Sequence, residues 1–69
     1  MNIIITYHAK IRMKQRGITN LEILHVLQYP IHIRKIHEGR REAVGLVRNR
    51  KIKIIFIHGR NYIKIITVI

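Results

Sequence analysis

Sixty-nine residues make one domain with a thin core and leave no room for a second. Nearly half of them (48%) are apolar, with Ile dominant, which excludes a disordered chain and favours a compact, sheet-rich domain. Fourteen Lys and Arg face three Glu (Glu22, Glu38, Glu42) and no Asp, a net charge of +11 that excludes sites built from several carboxylates.

Ile3-Ile4-Ile5 is a short apolar run suited to an edge or parallel strand. Thr6 then reads as an N-cap, opening a helix over Tyr7 to Arg16 that Gly17 closes at C′. Thr19-Asn20-Leu21-Glu22 is a capping box, and Ile18 is placed for a hydrophobic staple to Ile23. The helix that it opens, Thr19–Gln28, turns Ile23, Leu24 and Leu27 to one face and must stop before Pro30.

Beyond Pro30 the apolar period shortens from that of a helix to that of a strand. Ile31 to Ile36, Arg41 to Arg48, Lys51 to His58 and Tyr62 to Ile69 are the expected strands. Glu38-Gly39, Asn49-Arg50 and Gly59-Arg60-Asn61 separate them, and such close turns favour an antiparallel meander. The last two strands are apolar on both faces, so helices should cover one side and something else, a second subunit for instance, the other. The expected fold is α+β: two N-terminal helices packed on an antiparallel sheet in the order β-α-α-β-β-β-β.

A charge of this size costs self-repulsion, which a polyanion offsets because each neutralised phosphate releases a condensed counterion. Nucleic acid, RNA above all, is therefore the expected partner, with a generic basic surface or an acidic protein partner as the alternatives. No Cys is present, so neither a disulfide framework nor thiolate chemistry is available. The apolar runs are far shorter than the roughly 20 residues of a membrane span, and no secretory pattern opens the chain. A cytoplasmic protein is expected.

Two groups of residues could carry chemistry. His8, Arg12 and Arg16 recur at i, i+4 and i+8 and form one ridge on the first helix, with Gln15 beside it. Tyr7 and Ile11 flank the ridge on one side, Ala9 and Met13 on the other. His8 lies two residues past the cap, where the helix dipole and free N–H groups favour an anion. The ridge is therefore either a phosphate-binding, catalytic corner or a pair of arginines that lie over the core or pair with Glu22 or Glu42, with His8 assisting the cap. The second group is Arg41, Lys53, His58, Tyr62 and Lys64 on the strands, read as a platform that clamps a backbone and stacks a base, or as an ordinary solvent face. Arg34, Lys35, Arg40, Arg48, Arg50 and Arg60 are read as scattered charges.

The five His (His8, His25, His32, His37, His58) show no zinc spacing, and no Gly-rich phosphate loop occurs, so no metal or cofactor is expected. An enzyme on nucleic acid would then be a metal-independent ribonuclease. RNA supplies the 2′-OH nucleophile, and the protein a base, an acid and a cation at the developing phosphorane.

The stretch His8-Ala9-Lys10-Ile11-Arg12-Met13-Lys14-Gln15-Arg16-Gly17-Ile18-Thr19 resembles the opening of a family of small domains with the pattern His-Ala-x-x-Arg-Met-x-x-Arg-Gly-Ile-Ser/Thr. Pro30, Gly39-Arg40-Arg41, Ala43, Gly45 and Ile66-Thr67-Val68 extend the resemblance over nearly the whole chain. Those domains are placed near the RelE/ParE-like toxins, with two helices on an antiparallel sheet. The resemblance implies a toxin of a toxin-antitoxin system with an acidic antitoxin partner. RelE-type members cut messenger RNA, mostly on the ribosome, while ParE-type members inhibit gyrase. On the RelE-type reading His8, Arg12, Arg16 and His58 are the catalytic candidates. Arg41, Lys53, Tyr62 and Lys64 are the candidates for RNA binding, and the apolar sheet face is one for homodimer contact.

Overall fold

The structure is a computed structural model that describes residues 2–69. Its elements are β1 (Asn2–Ile5), α1 (Tyr7–Arg16), α2 (Asn20–Gln28), β2 (His32–Lys35), β3 (Arg41–Val47), β4 (Arg50–His58) and β5 (Tyr62–Val68). The fold is α+β, with the strands in one five-stranded sheet of order β1-β5-β4-β3-β2.

β2 to β5 form the expected antiparallel meander, but β1 runs parallel to β5, so the sheet is mixed and not antiparallel throughout. Strands joined by tight turns must run antiparallel. β1 is separated from β5 by two helices and three strands and is free of that constraint.

Both ends of α1 are fastened by the residues that the sequence marks. Thr6 Oγ1 accepts from the Ala9 N–H at 3.1 Å, capping the helix, and donates to the Ile65 carbonyl at 2.9 Å. Ile66 is an extra residue in β5, a bulge opposite the Ile55–Phe56 step, and its carbonyl also lies 3.2 Å from the same hydroxyl. At the other end Gly17 takes the left-handed conformation (φ 65°). Its N–H donates to the Lys14 carbonyl and that of Ile18 to the Met13 carbonyl, a Schellman closure. In α2 the capping box is complete: Thr19 N–H donates to Glu22 Oε1 (2.8 Å), and Glu22 N–H to Thr19 Oγ1 (3.2 Å).

α1 packs on β5, and α2 on β3 with a smaller contact to β4. Ala9, Met13, Ile18, Ile23 and Val26 meet Ala43, Ile52, Ile54, Phe56, Ile65 and Val68 in the core. The pleat sends Ile52, Ile54 and Phe56 of β4 towards the helices, and Lys51, Lys53, Ile55 and Ile57 to the opposite face. Among the described residues no helix covers that opposite face, which we call the open face.

One turn differs from expectation. The β3–β4 loop is Arg48-Asn49, not Asn49-Arg50, because both central residues have positive φ (53° and 66°) and Arg50 already pairs with Val47. A two-residue hairpin loop of this kind matches the right-handed twist of its strands. It also moves Arg50 onto the sheet.

Gly45 marks where α2 comes closest to the sheet. A Cβ built there would lie 3.0 Å from both γ-carbons of Val26. Gly45→Ala is expected to destabilise the fold by about 1–3 kcal/mol through overpacking. In a Val26→Ala background the same change should cost much less, and urea denaturation of the double-mutant cycle measures the difference.

Candidate nucleic-acid interface

The allocation of the three carboxylates shapes the surface charge. Glu42, buried on the open face, accepts from Arg34 Nε at 2.9 Å and has His32 Nε2 at 3.9 Å. Glu38 Oε1 lies 3.7 Å from His37 Nε2 in the β2–β3 turn. Glu22 serves the α2 cap and has Arg50 Nη2 at 3.7 Å. Among the described residues, no other Lys or Arg than Arg34 and Arg50 lies within ion-pair distance of a carboxylate.

Arg50, read from the sequence as a scattered charge, is a fastener. Its Nη1 donates to the Arg16 carbonyl (3.0 Å) and its Nη2 to the Gly17 carbonyl (3.1 Å). A cation at these carbonyls satisfies orphan acceptors and meets the negative end of the α1 dipole. The same side chain touches Glu22, so one guanidinium ties α1, the α2 cap and the start of β4 together.

Beside this clasp lies a cleft of about 420 Å³ lined by Gln15, Arg16, Ile18, Arg50, Lys51 and Ile52, with Ile69 at its edge. The Arg16 cation has no carboxylate partner among the described residues, and Gln15 adds an amide. Four residues earlier on the ridge, Arg12 is half-buried, and its Nε is buried with no hydrogen-bond partner. A buried donor without an acceptor is costly. His8 is exposed in the first turn of the same ridge. Ala9 and Met13 on one flank are buried, whereas Tyr7 on the other is 80% exposed. Neither Arg12 nor Arg16 pairs with Glu22 or Glu42, which removes the ion-pair form of the alternative, whereas the half-buried Arg12 fits its other form, an arginine lying over the core.

The strand candidates do not share one platform. Register and pleat put Lys53, Tyr62 and Lys64 on the open face. Arg41 pairs with Phe56, a core residue, and His58 follows Phe56 by two, so both lie on the helix-side face. Lys53 and His58 are five residues apart on β4, so the strand period of two already puts them on opposite faces. The Tyr62 ring sits directly over Gly59, where a Cβ would collide with it. No hydrogen bond or ion pair links His58 to His8, Arg12 or Arg16 among the described residues. No group of three or more His, Cys, Asp or Glu able to hold a metal occurs among the described residues.

The open face also carries Ile4, Ile55, Ile57, Ile66 and Leu46, with Lys53 and Lys64 among them. Among the described residues, no helix is long and apolar enough to cross a membrane.

Fold and clefts together describe a small basic α+β domain with unneutralised cations gathered on the first helix. The family model described as "Domain of unknown function (DUF4258)" matches residues 5–69, and the chain belongs to that family. Neither the curated proteins nor the solved structures yield a match.

The Glu22 carboxyl is held below its ordinary range, first by the Thr19 backbone N–H, against a smaller desolvation effect, with the Arg50 charge also favouring the anion. A lowered folded pKa stabilises the protein above the ordinary carboxylate range, and the contribution fades as pH falls through the folded value. Glu22→Gln keeps a capping acceptor but loses the charge. The variant should melt below the wild type at neutral pH, and the gap should close in acid when melting curves are compared across pH.

Proposed function

We propose that this domain is an RNA-directed toxin of the RelE-like kind, a metal-independent endoribonuclease that holds RNA phosphates on the α1 ridge and its cleft. One observation carries the reading: Arg12 and Arg16 lie along one helix, Arg16 beside the cleft, with no carboxylate within ion-pair distance among the described residues, while all three carboxylates are engaged elsewhere. Unpaired cations in one hollow attract a phosphate backbone strongly and in a salt-dependent way. The helix pair ahead of a four-stranded meander is compatible with the RelE/ParE-like resemblance.

In this reading Arg12 and Arg16 hold the scissile phosphate and stabilise charge on the phosphorane. His8, exposed on the same ridge, takes or gives the proton. His58, away from the ridge, is not needed for that step. Lys53, Lys64 and Tyr62 belong to the open face, which suits an acidic, amphipathic antitoxin better than a second copy, since a copy would set lysines against lysines. Such a toxin works in the cytoplasm, on free or ribosome-bound RNA.

A second reading is a nucleic-acid binder or gyrase inhibitor that cuts nothing. It is favoured by the lack of any acid or base hydrogen-bonded to His8 among the described residues.

Labelled RNA incubated with the protein in EDTA, with and without ribosomes, separates the two. Cleavage is expected, with His8→Ala slowing it by about 10²–10⁴-fold. Arg12→Ala should lower both rate and affinity. Tight, salt-sensitive binding without product would favour the second reading, and absence of both would remove the RNA assignment.

A further inference from the structure

The β2–β3 hairpin treats charge differently on its two faces. On the open face Arg34 stands opposite Glu42 and is neutralised by it. One step along the register, Lys35 stands opposite Arg41 on the helix-side face, a like-charge cross-strand pair. Such a pair destabilises a hairpin. Arg40 precedes Arg41 in the chain, and with Lys35, Ile36 and Gly39 these cations line a cleft of about 240 Å³.

None of the three cations has a carboxylate within ion-pair distance among the described residues. Glu42, next to Arg41 in the chain, lies on the open face and is held by Arg34, and Glu38 is beside His37. The cleft is also held by its backbone. Ile36 N–H donates to the Arg40 carbonyl (2.9 Å) and Arg40 N–H to the His37 carbonyl (3.3 Å), around two positive-φ residues, Glu38 and Gly39. A tied turn thus gathers three cations and opposes two of them directly.

We propose that this cleft is a second phosphate-binding site that takes a phosphodiester of the RNA strand already held at α1. It rests on the RNA reading above and adds the length of strand engaged. The α1 cleft reaches β4 at Arg50–Ile52, whose β3 partners are Val47–Gly45. Arg41 lies four to six residues back along β3, about 13–20 Å at the rise of a strand. One phosphate cannot bridge that distance. A strand of several nucleotides can, and its second contact then forms at high effective concentration. Free phosphate offers the same chemistry but fills one cleft at a time.

The test compares the salt dependence of affinity for an RNA of about 12 nucleotides and for inorganic pyrophosphate. Three proteins are used: wild type, Lys35→Gln/Arg40→Gln/Arg41→Gln, and a control with equal charge removed elsewhere (Lys10→Gln/Lys14→Gln/Arg60→Gln). The cleft variant should bind the RNA at least tenfold more weakly and flatten its log–log slope by about 2, at roughly 0.7 per lost contact. The control should flatten it far less. Equal flattening by both variants, or none by the cleft variant, overturns the site and leaves the α1 reading standing. Pyrophosphate bound as tightly as the strand overturns the bridging claim. Failure of the wild type to bind RNA removes the parent reading with it. Lys35→Gln alone should raise the melting temperature of the RNA-free protein, because it relieves the like-charge pair. A fall would mark Lys35 as structural and overturn the proposal.

Discussion

Three carboxylates have to serve fourteen cations, and their positions decide what every other charge on this protein can do. Glu22 is committed to a helix cap and Arg50, Glu42 to Arg34 on the open face, and Glu38 to a turn histidine. Each stabilises a junction of the fold. None faces the α1 ridge or lines the hairpin cleft, so the cations there keep their charge for an external anion. A more balanced sequence could have the same fold with no such hollow.

The arrangement works because α1 is fixed at both ends. Thr6 joins its first turn to the β5 bulge, where the Ile65 and Ile66 carbonyls come within reach of one hydroxyl. Arg50 holds its last carbonyls from across the sheet. Between these anchors Ala9 and Met13 are buried, which leaves His8, Arg12 and Arg16 along one edge of the contact. A helix free to roll would spread those cations over the surface, and the cleft beside Ile18 and Ile52 would not persist.

Local chemistry was legible in the sequence wherever neighbours in the chain decide the structure. Thr6, Gly17, the Thr19–Glu22 box and Pro30 bound the helices as their side chains require, and the strands fall within a residue or two of the expected segments. What depended on partners far away was not legible. Arg50 reaches carbonyls 33 and 34 residues earlier, and nothing in its neighbourhood marks it as a helix cap. The division of Arg41 from Lys53, Tyr62 and Lys64 follows from register between strands. Alternation within one strand cannot fix that register. The one-residue shift of the β3–β4 turn had the largest effect, since it turned a presumed loop arginine into the clasp.

The central claim is that an external phosphate completes the coordination of the α1 arginines. The most direct measurement follows the Nε–Hε resonances of the arginines by NMR while RNA is added. The Arg12 Nε–Hε signal should shift saturably and early, reporting phosphate held by the same guanidinium. The guanidinium of Arg50, occupied by the Arg16 and Gly17 carbonyls, should hardly move. An Arg12 signal that stays put, or that drifts only in step with every other arginine, would contradict the account.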